Sequence, residues 1–192
     1  MSARAGAAPT RREALGRAGG AGLLAYTAGL AGCGSSGSRG RLGALPAQAR
    51  ELNLTILRQG LELERQAIAA YTAGIPLLKG RVQQAARRFL DQEISHAGAL
   101  AALIKQGRGK VSKPRANYTL GQPRSSKEVL GLLHGLEQAQ LAFYVKMVPS
   151  LTPGSLVAEL GSLLANDAQH VAILRGALGL PPLTGAFVTG RP

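Results

Sequence analysis

Apolar residues recur every three to four positions along four segments of the chain, which is the spacing of a helix face and not the alternation of a strand. The predicted helices span about 48–78, 80–106, 125–148 and 153–177. Ser125 and Glu128 form an S-x-x-E capping box at the start of the third helix. The segment 107–124, rich in Gly, Pro, Ser and Lys, is the only long connection. Two short joints and one long middle crossover predict an all-α, antiparallel four-helix bundle made of two helical hairpins.

Each predicted apolar stripe contains one carboxylate about halfway along its helix. These carboxylates are Glu64, Glu93, Glu137 and Asp167. In the second and fourth helices a histidine follows one turn later, at His96 and His170. Buried carboxylates without partners are costly, and four that face one another are more so. Because no stripe contains a lysine or arginine that could pair with them, the pattern favours a metal site at the centre of the bundle.

The second hairpin repeats the first about 73 or 74 residues later. The stretch "ERQAIAAY" recurs as "EQAQLAFY", and "EISH" recurs as "DAQH". Glu64 and Tyr71 correspond to Glu137 and Tyr144. Two similar hairpins packed about a pseudo-twofold axis bring the four polar turns together at mid-bundle. The repeat and the stripes therefore place the same residues in the interior by separate arguments.

Over about residues 50–180 this arrangement resembles the ferritin-like superfamily, and in particular its exported ferritin-like domain proteins. The resemblance implies that one Glu from each of two helices and one Glu-x-x-His from each of the other two hold a pair of metal ions. Carried over by position, the ligands are Glu64, Glu93, His96, Glu137, Asp167 and His170. The resemblance places Glu93 and Asp167 where the family's bridging carboxylates lie. Asp167 is one methylene shorter than the usual Glu, so a bridge from it requires a closer helix or leaves one metal loosely held. A single-ion site and a metal-free polar core stay open as alternatives.

Oxygen and imidazole ligands suit iron, manganese or zinc, and the lack of thiols in the stripes disfavours softer ions. The resemblance favours iron, with manganese as the alternative. Three interpretations of Tyr71 and Tyr144 are open: hydrogen bonds to the carboxylates, a role in electron transfer, or ordinary core tyrosines with a satisfied hydroxyl. Gln140 is expected to hydrogen-bond a ligand. His134 lies off the stripe and is not expected to bind metal.

The N-terminus reads as a targeting segment. Arg11 and Arg12 precede a weakly apolar run that is short for a membrane-spanning helix, which is typical of a twin-arginine signal peptide. The run ends in Leu30-Ala31-Gly32-Cys33, which resembles the lipobox of bacterial lipoproteins and predicts lipid on Cys33; a non-lipidated signal peptide is the alternative. The predicted organisation is a signal peptide (1–33), a flexible tether (34–47), the bundle (48–179) and an extended C-terminal tail (180–192). The protein is thus expected to be exported and anchored at the outer face of the cytoplasmic membrane or in the periplasm.

Charge and cysteine content narrow the list of partners. The formal net charge is +13, yet an exported chain without a nucleic-acid-binding motif is not expected to bind nucleic acid. Anionic lipid or cell-wall polymer explains the surplus more simply. Cys33 is the only cysteine, which excludes an internal disulfide. The expected partners are the membrane, reached through the lipid anchor, and metal ions, and a homodimer formed through helix faces is compatible with the pattern.

For function, the resemblance implies oxidation of Fe(II), or turnover of oxygen or peroxide, at a di-iron centre. Manganese-dependent peroxide dismutation would use the same site. A storage shell is not expected, because a lipid tether suits a closed cage poorly. The alternative from another class is a non-catalytic bundle that serves as a cell-envelope interaction or stress module, with a relic polar core. Whether the protein is an enzyme stays open at this point.

Overall fold

The computed structural model describes residues 42–183, and the statements below concern that part of the chain. It contains four long helices: α1 (Ala47–Gly74), α2 (Gly80–Gln106), α3 (Ser126–Met147) and α4 (Gly154–Ala177). Short 3-10 turns occupy Leu42–Ala44, Ile75–Leu77 and Val148–Ser150. No strand is present between residues 42 and 183. The predicted all-α four-helix bundle is confirmed.

The two hairpins, α1 with α2 and α3 with α4, pack together mainly through α1 and α3. The Asn53 side chain donates to the carbonyl oxygen of Thr152, which joins the start of α1 to the turn between α3 and α4. At the opposite end, the Ser126 hydroxyl donates to the Leu77 carbonyl oxygen at 3.0 Å. The crossover between α2 and α3 therefore runs the length of the bundle. In contrast, α2 and α4 touch at few points, so the bundle is most open between them.

The helix ends follow the local sequence. The Ser125 hydroxyl accepts from the Glu128 amide at 3.3 Å, which makes the side-chain cap that the S-x-x-E pattern predicts. The α-helical part of α1 ends at Gly74 and not near 78, because the next turn is a 3-10 helix that contains Pro76. The same change follows α3, where Pro149 lies in the next 3-10 turn. The two hairpins therefore share, besides their helices, a 3-10 turn with a proline after the first helix.

The core consists of two apolar clusters, one on each side of a polar centre. The helical spacing of apolar residues predicts that Ile68 and Ile94 face the interior, but neither is buried. Ile68 is only half-buried, whereas Ala67 and Ala70 are fully buried. Ile94, which the helix pattern of α2 also counts among its apolar residues, is 52% exposed. Small residues thus take part of the contact that the pattern assigned to isoleucine.

The ends of the described region join the bundle. Leu42 is buried in the core, so the packed part of the chain begins before α1 and inside the stretch predicted as tether. Of the predicted tail, residues 180–183 are described, and Arg175 Nε donates to the Pro181 carbonyl oxygen at 2.7 Å. The predicted signal peptide, Cys33 and most of the tether lie outside the described residues. Within 42–183, no helix is long and apolar enough to cross a membrane.

Candidate metal centre

Four fully buried carboxylates, one from each helix, meet midway along the bundle. They are Glu64 of α1, Glu93 of α2, Glu137 of α3 and Asp167 of α4. Residues three apart on a helix share a face, so His96 and His170 lie beside the acids that precede them by one turn. All six residues that the sequence singled out as ligands are therefore brought together. Their role as ligands remains a prediction.

Two tyrosines hold carboxylates across the pseudo-twofold axis. The hydroxyl of Tyr71 in the first hairpin donates to Glu137 Oε1 in the second. The hydroxyl of Tyr144 in the second hairpin donates to Glu64 Oε1 in the first. Burial, and next the neighbouring carboxylates, raise the pKa of both tyrosines well above its usual value. Both phenols therefore stay protonated as hydrogen-bond donors. Gly60 leaves room for this contact, because a Cβ there would lie 3.0 Å from the Tyr144 hydroxyl oxygen.

Gln140 breaks the symmetry of the centre. Its Nε2 donates to Glu64 Oε2 at 2.8 Å and to Glu93 Oε2 at 3.0 Å, so one amide links two carboxylates. Its counterpart in the repeat is Ala67, which has no donor. Glu137 and Asp167 therefore receive no equivalent hydrogen bond.

His170 is the more enclosed histidine. Its Nδ1 lies 3.2 Å from both Glu93 Oε1 and Glu137 Oε1, and its ring stacks on Phe89 with centroids 4.0 Å apart. Burial opposes its positive charge, but the hydrogen bonds to Glu137 and Glu93 outweigh burial and raise its pKa to about 9. Without a metal, this ring is thus a cation among the carboxylates.

His96 is held more loosely. Its Nδ1 lies 3.5 Å from Asp167 Oδ1 and 3.7 Å from Glu64 Oε2, and 14% of its side chain is exposed. Burial lowers its pKa; the charge of Glu93 acts in the opposite direction, and the charge of His170 lowers it further. The two histidines therefore differ in both contacts and charge.

Burial and the neighbouring charged groups shift the pKa values of the four carboxylates. Burial, followed by the charges of Glu93 and Glu137, raises the pKa of Asp167 to about 9. Burial is also the largest cause that raises the pKa of Glu64 and of Glu137. Glu93 is the exception: burial alone would raise its pKa, but hydrogen bonds with His170, Glu64 and Gln140 lower it. In the absence of a metal, the centre holds protons where cations would otherwise balance its charge.

Several ligand atoms of the centre have no hydrogen-bond partner among residues 42–183. They are Glu137 Oε2, both carboxylate oxygens of Asp167 and Nδ1 of His96. No lysine or arginine in the described region forms an ion pair with the four buried acids. Buried acceptors of this kind are normally satisfied, so their convergence fits cation ligands.

The ligand atoms form two groups in which all atoms lie within 4.8 Å of one another. One group consists of Glu93, Glu137, Asp167 and His170, and the other of Glu64, Glu93 and His96. Glu93 belongs to both groups, whereas Asp167, the other residue that the resemblance places at a bridging position, belongs to one. Oxygen and imidazole donors suit iron, manganese or zinc. The residues present therefore fit a dinuclear metal centre.

Two neighbours of the site were not predicted from the sequence. Gln92 is half-buried, and its Oε1 lies 2.8 Å from His170 Nε2. Phe89 was assigned to the apolar stripe, but its stacking on His170 was not foreseen. In the sequence, Gln92 is marked only by its position next to Glu93, and a search for apolar periodicity does not detect such a neighbour. His134 belongs to neither ligand group, as the sequence suggested.

Comparison with known proteins identifies the family of the chain. A family model described as ferritin-like domain matches residues 52–180. The chain belongs to this family. No curated protein sequence matches it.

Two solved structures share the fold. One, from Bacillus anthracis strain Ames, is described as a ferritin like, diiron-carboxylate protein; it is 23% identical with a TM-score of 0.61, over 70% of this chain and 99% of its own. The other is a conserved hypothetical protein from Mycobacterium tuberculosis, 18% identical with a TM-score of 0.64, over 71% of this chain and 97% of its own. At these identities the likeness shows the fold of the ferritin-like domain.

Proposed function

We propose that this ferritin-like protein binds a dinuclear metal centre, with iron as the expected ion, and acts as an oxidoreductase on Fe(II), oxygen or peroxide. The observation that carries the proposal is the convergence of buried carboxylates and histidines in two ligand groups that share Glu93, with three oxygens of Glu137 and Asp167 left without a hydrogen-bond partner in the described region. The description of the Bacillus anthracis neighbour as a diiron-carboxylate protein supports iron over other ions. Manganese suits the same ligands and is the alternative ion.

The chain's own residues define how the centre would work. Glu93, Glu137, Asp167 and His170 would hold one ion, and Glu64 and His96 would hold the other together with Glu93. A bound pair of iron ions supplies one-electron redox chemistry toward oxygen or peroxide. Burial of the carboxylates keeps bulk water from the ligands, and the hydroxyl groups of Tyr71 and Tyr144 hold two of them in place.

The gap between α2 and α4 is the expected entrance for small molecules. An apolar groove of about 230 Å³ lies there, lined in part by Val82, Phe89 and Ile173. Phe89 also stacks on His170, so the groove leads to the edge of the centre. An apolar passage of this size suits a small uncharged molecule such as oxygen or peroxide.

Metal analysis is the direct test. The chain, purified from a host that exports it or reconstituted anaerobically with Fe(II), is expected to contain about two metal ions. Fe(II) oxidation is then followed with oxygen and with hydrogen peroxide as separate oxidants. A protein that takes up no metal under these conditions contradicts the proposal and favours the non-catalytic envelope module. Metal uptake without turnover contradicts only the oxidoreductase activity.

We further propose that the protein is exported and anchored through lipid on Cys33, at the outer face of the cytoplasmic membrane or in the periplasm. The proposal rests on the paired arginines and the Leu30–Cys33 stretch of the sequence. A Cys33→Ala change is expected to move the protein from the membrane fraction to the soluble exported fraction. Tight membrane association of this variant would contradict the lipid anchor. The export route is tested separately: an Arg11→Lys/Arg12→Lys variant is expected to stay in the cytoplasm.

A further inference from the structure

The two nitrogens of the His170 ring have different surroundings. Nδ1 faces the centre, 3.2 Å from one oxygen each of Glu93 and Glu137. Nε2 faces away from it and lies 2.8 Å from Gln92 Oε1. Because an amide oxygen can only accept, the hydrogen of Nε2 donates to Gln92.

This contact selects the form of the ring that can bind a metal. A neutral imidazole has one hydrogen, and a metal binds the nitrogen that lacks it. With the hydrogen held on Nε2 by Gln92, Nδ1 is the nitrogen left for an ion. Contacts of this type fix the orientation of a histidine ligand and increase its basicity. Gln92 is also next to Glu93, so a single turn of α2 provides one ligand and orients another that lies on α4.

The internal repeat provides a matched comparison. Asn166 precedes Asp167 just as Gln92 precedes Glu93, and it is therefore the counterpart that should hold His96. Asn166 Oδ1 is buried, but it has no hydrogen-bond partner within the described region. An asparagine side chain is one methylene shorter than glutamine. His96 is correspondingly the more exposed ring, with contacts of 3.5 to 3.9 Å from Nδ1 to the acids.

We infer that Gln92 is a positioning residue that fixes His170 as a metal ligand, and that Asn166 is too short to do the same for His96. The inference rests on the proposed metal centre. It assigns the two ions different affinities: the tighter position contains His170 and the weaker one contains His96. It also attributes the difference in affinity to Gln92 and Asn166, which precede the acids and are not among the six ligands.

The test uses Zn(II), which is diamagnetic and accepts the same oxygen and nitrogen ligands. Calorimetric titration of the full chain is expected to show two sites of unequal affinity.

Gln92→Ala should weaken the tighter site by about 10–100-fold, which is the usual loss when a partner of a ligand is removed. Gln92→Glu keeps an acceptor and should restore the affinity. Asn166→Ala, the matched control, should leave both affinities within about twofold, because the Asn166 Oδ1 holds no ring by a hydrogen bond. Asn166→Gln should strengthen the weaker site.

A spectroscopic measurement separates positioning from general support of the fold. In the zinc-loaded protein, NMR should detect the hydrogen on His170 Nε2 with slow exchange against water, and Gln92→Ala should make that exchange at least about tenfold faster. Circular dichroism should show that the Gln92→Ala and Asn166→Gln variants keep their helices. The inference is overturned by equal affinities at the two sites, by unchanged affinity and exchange in Gln92→Ala, or by no gain in Asn166→Gln. If the wild-type chain binds no zinc, iron or manganese, the proposed function itself fails.

Discussion

The two hairpins have the same helices, turns and ligand positions, but they hold their carboxylates differently. In the first hairpin, Glu64 and Glu93 share a hydrogen-bond donor, the amide of Gln140. In the second, Glu137 and Asp167 have no such donor, and three of their four oxygens have no hydrogen-bond partner in the part of the chain that the structure describes. The difference arises at single positions of the repeat, where glutamine replaces alanine or a side chain loses a methylene.

This comparison shows that a repeated fold does not imply two equal metal positions. The acids of the second hairpin depend on a cation for neutralisation, whether it is a metal, a proton or the His170 ring. Those of the first hairpin are partly satisfied by the protein itself.

Glu93 is the residue on which both hairpins depend. Because it belongs to both ligand groups, Glu93→Ala is expected to remove metal from both positions, and the Glu93→Ala/His96→Ala double variant should behave in the same way. The measurement is metal content per chain after anaerobic reconstitution. Asp91→Ala, an exposed acid on the same helix, is the control and should keep the wild-type content. Normal metal content in the Glu93 variants would show that the ligands are assigned wrongly.

The histidines test whether the hairpins differ in affinity. His170→Ala removes the only nitrogen ligand of the four-residue group and is expected to abolish tight binding, so that metal content falls from about two ions to at most about one weakly held ion. His96→Ala should instead retain one tightly held ion. The measurement is a titration of each variant against a competing chelator. Equal losses in the two variants would contradict the asymmetry.

Proton binding should oppose metal binding. The folded-state pKa values of His170 and Asp167 are both raised, to about 9, above their usual values of 6.5 and 3.8. The folded, metal-free protein thus binds protons that the unfolded chain has lost, so its free energy of unfolding should fall as pH rises from about 6.5 to about 9. Metal affinity should rise over the same window, by about tenfold per pH unit for each proton displaced.

Denaturant unfolding with chelator present, and calorimetry in buffers of different ionisation enthalpy, measure these two effects. Asp167→Asn removes one of the two groups and should make the stability of the metal-free protein less dependent on pH. A stability that instead increases between pH 6.5 and 9 would contradict the raised pKa values.

Gln140 tests the contrast within the metal-free protein. Gln140→Leu removes the donor that Glu64 and Glu93 share and leaves buried oxygens without it, so we expect the free energy of unfolding to fall by about 1–3 kcal/mol. The measurement is denaturant unfolding at neutral pH. Gln84→Leu is the same change at an exposed site of α2 and should have little effect. A loss of similar size in both variants would show that the amide contributes nothing specific.

Much of the fold follows from the sequence because helix formation and burial are read from local spacing. The bounds of α2 coincide with the predicted 80–106, and the other helices start within one residue of their predicted positions. The ends of α1 and α3 were predicted too far along the chain because the turns with Pro76 and Pro149 are tighter 3-10 helices. The six inward-facing acids and histidines were identified because a charged residue on an apolar stripe conflicts with its surroundings.

The contacts between side chains of different helices could not be predicted from the sequence. That Tyr71 would meet Glu137, and not the glutamate of its own helix, depends on how the two hairpins pack. Gln92 was missed for the same reason, because its partner lies on another helix and its own side chain is only half-buried. The burial of Ala67 in place of Ile68 reflects the close approach of the helices, which a hydrophobic pattern does not measure.

The exchange of tyrosine contacts between the hairpins bears on the smallest unit that can assemble this centre. An isolated hairpin would keep its glutamate but lose the phenol that holds it, since that phenol is always supplied by the other half. Two separate hairpins would have to associate before either carboxylate gained its phenol. In this chain the long crossover joins the two hairpins covalently, so the assembly of the centre does not depend on protein concentration.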